Sequence, residues 1–313
     1  MTAEKTMAAE KAAMADRSAD ASGSVKGLVR KGIGGFYFVE TPTGVVRAKG
    51  RGVLKLDGVP LTVGDLVDVI PPAPGEDDGV IERILPRKNR FDRPPVSNLD
   101  AIIAVVAVKD PEPNFFVLDK LLVMAETKGV TPAVCINKID SASPGEAEEI
   151  RDMYSGIYDT FLVGGLTGEG MDSLWDYVCG RKTAFAGPSG VGKSTLINRL
   201  IPEAGMDTGG ISRKTSRGRH TTRHVEMFPV NGGYLFDTPG FTSFDLAEMD
   251  ERELAACFPD IERNAGTCRF EDCMHLDEPD CGVIRALRDG RISRSRYRSY
   301  RMGIDEIRKK RKF

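Results

Sequence analysis

The sequence predicts an α/β protein in which a doubly wound parallel sheet follows a small closed β-barrel and precedes a helical, cysteine-bearing segment. Three observations carry that expectation. Short β-like runs recur at about ten-residue spacing before residue 90, apolar strands alternate with amphipathic helices after residue 98, and three cysteines and a histidine gather beyond residue 267. At 313 residues, with 41% hydrophobic and 29% charged, the chain can bury cores in about two or three domains of ordinary soluble composition. Its 34 glycines favour special turns over a helical bundle. A formal net charge of -2 excludes a uniformly basic nucleic-acid coat protein while leaving room for a local basic patch. The longest apolar run, Ala101 to Val108, is too short to span a bilayer. Glu4, Lys5, Glu10, Lys11 and Asp16 interrupt the alanine-rich start, so no signal-peptide core is expected and a cytoplasmic, non-membrane protein is.

Residues 1–24 carry no core aromatics and are expected to form a disordered or loosely helical tail. Residues 25–90 contain strand-like runs at 35–40, 44–48 and 65–70, separated by glycines. About 60 residues of this texture suit a five-stranded OB-type barrel, a fold that often binds RNA. Pro94-Pro95 closes a linker, and residues 91–246 read as one α/β domain. The run 101–108 is continuously apolar, as a strand covered on both faces must be. Residues 116–126 place Leu118, Leu121, Leu122 and Ala125 on one helical side. Further strands are expected at 131–136, 159–163 and 183–186, with a helix at 171–178. Residues 247–313 turn helical and finally basic.

Gly187-Pro188-Ser189-Gly190-Val191-Gly192-Lys193-Ser194, followed by Thr195, fits G-x-x-x-x-G-K-[ST] in full. It lies between a strand and an amphipathic helix carrying Leu196, Ile197, Leu200 and Ile201. Glycines there let backbone N–H groups converge on phosphate oxygens, and the helix start adds its positive end. Lys193 supplies a charge between the terminal phosphates and Ser194 a magnesium ligand. That loop does not choose a base; Asn137-Lys138-Ile139-Asp140, leaving a strand, does. The Asp140 carboxylate can accept from both the ring N–H and the exocyclic amine of guanine, a pair adenine does not offer. Lys138 would lay its stem along the base, and Asn137 would pin this loop to the phosphate loop.

A β-hairpin over 225–236, turning at Asn231-Gly232-Gly233, then delivers Asp237-Thr238-Pro239-Gly240. Asp237 would hold magnesium through water, and the Gly240 N–H would sense the γ-phosphate. Gly218-Arg219-His220-Thr221-Thr222 is the switch candidate, where Thr221 and Thr222 both qualify to ligate magnesium and γ-phosphate. Together these motifs specify a GTPase working on GTP with Mg2+ and releasing GDP. Their order is inverted. Asn137 precedes Gly187 by 50 residues, whereas an ordinary GTPase meets its phosphate loop first. Circular permutation keeps the spatial sheet and changes the chain order. It also sends the chain from Asp237-Thr238-Pro239-Gly240 directly into the C-terminal segment, so contact with γ-phosphate is expected to reposition that segment.

Cys268, Cys273, His275 and Cys281 offer three thiolates and one imidazole within a short stretch, the donor set of a closed, structural tetrahedral Zn2+ site. Cys135, Cys179 and Cys257 are expected in the core. Residues 282–313 hold 12 Lys/Arg against 3 Asp/Glu. Arg291, Arg294, Arg298 and Arg301 would make one basic helix face, with Tyr297 and Tyr300 nearby, suited to RNA phosphates.

A barrel, permuted GTPase motifs and this cysteine cluster, in this order, closely resemble the ribosome small-subunit-dependent GTPase A family over about residues 25–300. The resemblance implies a partner, the small ribosomal subunit and its rRNA, a role in late maturation of that subunit, and turnover stimulated by it. The cysteine spacing matches the family's zinc-binding pattern. Many GTPases orient water with a glutamine after Asp-x-x-Gly, where this chain has Phe241. The resemblance implies a switch histidine in its place; His220 matches, with His224 as the alternative. The second guanine loop usually has a serine in this family but here reads Val163-Gly164-Gly165-Leu166-Thr167-Gly168, so Gly165 is expected to present its N–H to the base. A monomer is expected. The rival expectation is a nucleotide-gated RNA-binding scaffold with negligible catalysis, favoured by Phe241 and opposed by Lys193, Ser194 and Asp237.

Overall fold

Five short strands fold the start of the chain into a barrel in the computed structural model, which describes residues 23–52, 59–205, 225–237, 241, 244–246 and 249–310. They are β1 (Val25–Ile33), β2 (Phe36–Thr41), β3 (Gly44–Gly50), β4 (Leu66–Ile70) and β5 (Gly79–Ile84). They lie in the order β1-β2-β3-β5-β4, and β4 returns to pair with β1, as the expected barrel requires. Val29, Val39, Ala48, Val67, Val69 and Ile81 fill its interior; β-branched side chains suit a narrow, pleated wall. Asp65, fully buried ahead of β4, accepts from the Thr62 N–H (2.8 Å), the Ser97 hydroxyl (2.6 Å) and the Arg87 guanidinium (2.6 Å). That carboxylate fastens the barrel to a short hairpin, β6 (Arg90–Asp92) and β7 (Pro95–Ser97).

The described residues divide into two units. The first is drawn from Met1–Leu99, Arg217–Pro229 and Tyr234–Pro239, the second from Asp100–Ser216, Val230–Gly233 and Gly240–Phe313. In the second, β8 (Ala101–Ala107), β9 (Thr131–Asn137), β10 (Asp159–Val163) and β11 (Lys182–Ala186) form a parallel array in the order β10-β9-β8-β11. Every residue of β8 is buried, which explains its unbroken apolar run. Helices α1 (Phe115–Thr127), α2 (Glu146–Tyr154), α3 (Met171–Val178) and α4 (Lys193–Leu200) connect or follow these strands. Asn114 caps α1 by accepting from the Val117 N–H at 3.1 Å. The expected hairpin is present as β12 (Glu226–Val230) and β13 (Gly233–Asp237), and Asn231 and Gly232 turn it with φ of 32° and 77°. Among the described residues no helix is long and apolar enough to cross a membrane.

The C-terminal helices are α5 (Glu251–Ala256), α6 (Pro259–Ala265), α7 (Gly282–Arg288) and α8 (Arg294–Lys310). Leu254, Phe258, Ile261, Val283, Tyr300 and Ile304 build their core, and Val123 of α1 joins it. The basic-face expectation for α8 needs correcting. Arg294, Arg298 and Arg301 are exposed, but Arg291 precedes the helix. Tyr297 and Tyr300 are buried, with Arg296, Ile304 and Ile307 on the same inner side. Tyrosines that pack a core are not free to stack on RNA bases. Arg296 lies between Asp119 of α1 and Asp260 of α6, each at 2.6 Å, with its cationic carbon 4.6 Å from the Phe258 ring centre. Burial works against its charge, yet the two carboxylates hold the guanidinium firmly protonated. Cys135 is buried as expected, while Cys179 and Cys257 are only half-buried.

Candidate functional site

Three loops leave the carboxyl ends of β9, β10 and β11, the edge at which open α/β sheets receive ligands. After β11 the chain turns through 187–192 into α4. Gly192 begins that helix with φ of 97°, and a Cβ there would stand 2.2 Å from Asn137 Nδ2, so only glycine fits. Ser189 and Gly190 are exposed, Pro188, Ser194 and Thr195 are half-buried, and Val191 is buried beneath the loop. Lys193 Nζ folds back over the loop, donating to the carbonyls of Gly187 (2.7 Å) and Pro188 (2.8 Å). Burial pulls its pKa down to about 8, because the ammonium has lost water. At its other side the loop is anchored by the Gly187 N–H, which donates to the Phe241 carbonyl at 2.7 Å.

The second loop starts at Asn137, the buried last residue of β9. Its side chain works in two directions. Nδ2 donates to the Val191 carbonyl of the phosphate-loop segment (2.8 Å), and Oδ1 accepts from the Gly165 N–H (3.1 Å). The amide orientation follows from these partners, since the reverse would set donor against donor. The expected pinning of one loop to the other is therefore present. Lys138 adopts a left-handed φ of 65° and its ammonium donates to the Asp110 carbonyl. A single 3-10 turn, Ile139–Ser141, then lifts Asp140 to the exposed rim. The third loop faces it: a Cβ on Gly164 would lie 3.2 Å from Asp140 Oδ1. The Gly165 N–H, expected to meet the base, is bonded to Asn137 Oδ1 in this structure.

Asp237 ends β13 in the first unit. His220, Thr221, Thr222, His224 and Gly240 lie outside the described residues. Two participants escaped the sequence reading: the Phe241 carbonyl, and Arg199, which bonds to the carbonyls of Gly165 and Leu166. Both contacts join residues more than thirty positions apart, and neither leaves a local pattern.

The metal-ligand expectation is met in geometry. One donor atom from each of Cys268, Cys273, His275 and Cys281 lies within 4.8 Å of the others. Cys268 Sγ is 3.8 Å from Cys281 Sγ, and His275 Nδ1 is 3.4 Å and 3.6 Å from those two sulfurs. Tetrahedral zinc, with bonds of about 2.3 Å to sulfur and about 2.0–2.1 Å to nitrogen, requires edges of roughly 3.8 and 3.6 Å. The donors present fit that ion. Burial lowers the His275 pKa and keeps the imidazole neutral, the form that ligates. Outside the donors, the Glu278 carboxylate accepts from the N–H groups of Met274 (2.9 Å) and Leu276 (2.8 Å). The Tyr297 hydroxyl donates to the His275 carbonyl and the Tyr300 hydroxyl to that of Met274, each at 2.8 Å. These bonds tie the cysteine loop to α8.

The family profile described as RsgA GTPase matches residues 84–247, and that described as RsgA N-terminal domain matches residues 26–81. A protein of Alkaliphilus metalliredigens named small ribosomal subunit biogenesis GTPase RsgA is 42% identical over 290 residues, 92% of this chain and 99% of that protein. One of the same name from Agathobacter rectalis is 40% identical over 300 residues. Among solved structures, YjeQ from Thermotoga maritima superposes with a TM-score of 0.78 at 33% identity, covering 90% of this chain and 98% of that one. YloQ, described as a circularly permuted GTPase, superposes with a TM-score of 0.75 at 32% identity, covering 91% and 96%.

Proposed function

The chain belongs to the RsgA GTPase family, and from that premise we infer that one pocket holds guanine nucleotide at both ends, Lys193 at the phosphates and Asp140 at the base. It is a GTP-hydrolysing enzyme of small-ribosomal-subunit biogenesis, with a circularly permuted GTPase fold. The family implies GTP, GDP and Mg2+ as nucleotide and ion. The observation that carries the pocket is the Asn137 amide, which bonds the base-reading loop to Val191 in the phosphate loop despite the inverted chain order.

In this reading Gly187, Pro188, Ser189, Gly190, Val191 and Gly192 wrap the phosphates with backbone N–H groups, Lys193 adds positive charge, and Thr195 lies in the first turn of α4 beside them. Magnesium, when bound, neutralises charge building up between the β- and γ-phosphates; Ser194 and Thr222 would hold it, with Asp237 acting through water. The Gly240 N–H reports on the γ-phosphate. Asp140 accepts from guanine while Lys138 and Ile139 flank the base. His220 orients the attacking water once the small subunit orders the switch, because Phe241 carries no polar group for that task. Cys268, Cys273, His275 and Cys281 would hold Zn2+, which would stiffen the C-terminal helices. The barrel at 25–90 and the exposed Arg294, Arg298 and Arg301 of the helical domain at 247–313 bind rRNA of the subunit, while the domain at 91–246 carries the GTPase chemistry. The protein acts as a monomer in the cytoplasm.

Steady-state GTP turnover with and without purified small subunits tests this. Subunits should accelerate the wild type, and His220→Ala should lose about 100-fold of the stimulated rate while keeping GTP affinity. A wild type that binds GTP but is never stimulated supports the scaffold reading instead. Unchanged stimulated turnover in His220→Ala removes that residue from the mechanism.

A further inference from the structure

Helix α4 begins in the phosphate loop and ends beside the loop after β10, and Arg199 in its last turn crosses between them. Its Nε donates to the Gly165 carbonyl at 2.7 Å and its Nη2 to the Leu166 carbonyl. The fork reaches this far because residue 168 is glycine, with φ of 94°; a Cβ there would lie 2.7 Å from Arg199 Nη1. Within itself the loop is held by the Gly168 N–H on the Gly164 carbonyl (2.7 Å) and the Thr167 hydroxyl on the same oxygen (3.2 Å). Among the described residues these bonds form a closed circuit. Arg199 grips Gly165, the Gly165 N–H grips Asn137, Asn137 grips Val191, and Val191 leads back through Gly192 into α4.

We propose that Arg199 is a positioning residue for guanine selectivity, holding the 164–168 loop so that Asn137 and Asp140 keep their place over the base. The argument is one of constraint. Two adjacent glycines, Gly164 and Gly165, give this loop more backbone freedom than any other residues would. Asp140 gains selectivity only when its two oxygens meet the ring N–H and the amine together, and Gly164 lies so near one of them that an added Cβ would stand 3.2 Å from it. A planar guanidinium that bonds two successive carbonyls fixes both position and direction, which a single-point ammonium does not. The Arg199 guanidinium is solvent-facing and bonds the carbonyls of Gly165 and Leu166, so it acts on the base end of the pocket.

The proposal rests on Asn137-Lys138-Ile139-Asp140 reading guanine, and the test separates the two. Full-length wild type, Arg199→Ala and Arg199→Lys are titrated with GDP, with IDP (which lacks the exocyclic amine) and with ADP, and saturated GTP turnover and thermal midpoints are recorded. Wild type should prefer GDP to ADP strongly; equal binding would defeat the guanine reading itself. Arg199→Ala should weaken GDP about fivefold, as expected for losing a charged donor at a solvent-facing site, and should shrink the GDP-over-IDP preference. Its turnover at saturating GTP and its thermal midpoint should stay near wild type. Arg199→Lys, able to satisfy one carbonyl, should fall between the two. GDP affinity and preference both unchanged in Arg199→Ala overturn the proposal. So does an equal loss of GDP and IDP with a lowered thermal midpoint, the pattern of a merely structural residue. Should Arg199→Ala not fold, Arg199→Lys decides alone: a preserved GDP-over-IDP ratio with weakened folding overturns it, and a reduced ratio supports it.

Discussion

Lys193 shows how one residue can be ready for its ligand and uncomfortable without it. Among the described residues its ammonium bonds the carbonyl oxygens of Gly187 and Pro188, and burial has brought its pKa to about 8. The charged form attracts phosphate, so raising the pH past that value discharges the empty site and weakens binding. Protonation would fall about fourfold between pH 7 and pH 8.5, and GDP affinity in the absence of magnesium should fall with it. Isothermal titration across that range checks the direction, and a flat profile would mean Lys193 stays charged throughout. The residues that carry this chemistry were legible because their patterns are local. Glycines, a lysine and a serine at fixed offsets, or Asn-Lys-x-Asp after an apolar strand, need no knowledge of the fold. The bond of the Gly165 N–H to Asn137, 28 residues earlier, is not legible for the opposite reason: sequence spacing does not reveal such a pairing.

Elements were legible where periodicity was strong. The strand at 159–163 and the helix at 171–178 occur with those bounds, and residues 101–107 of the apolar run form a strand buried on both faces. Helix α8 was half legible. Its arginines announce charge, and the spacing alone does not say that Arg296 faces inward between Asp119 and Asp260 while Arg298 faces water. The difference is energetic as well as geometric. Arg296→Ala leaves two carboxylates buried without a counter-charge and should cost about 3–5 kcal/mol, seen as a lowered urea midpoint. Replacing Arg296, Asp119 and Asp260 together with apolar residues of similar volume should cost far less, because no charge is then stranded.

For the whole molecule, the permuted order has a mechanical result. The segment after Asp237 reaches Phe241, whose carbonyl holds the phosphate loop at Gly187, and then enters the C-terminal core through Leu246 and Met249. Lys120 of α1 meets Glu306 of α8 at 3.1 Å, and the Glu306 carboxylate also accepts from the Leu246 N–H at 3.2 Å. Helix α1 and Leu246 thus meet the same carboxylate of α8. Limited proteolysis should therefore cut residues 247–313 at different rates with GDP and with a non-hydrolysable GTP analogue. Identical digestion patterns would break the link between nucleotide state and the C-terminal helices.

The Asn137 side chain commits both of its polar atoms, one to each neighbouring loop. Asn137→Asp is the smallest covalent edit available there, one amino group exchanged for one oxygen. It would turn the attraction toward the Val191 carbonyl into repulsion while leaving shape and volume intact. Recognition of the purine and retention of the triphosphate would then fail as a single event, since the same few atoms serve as keystone to both arches.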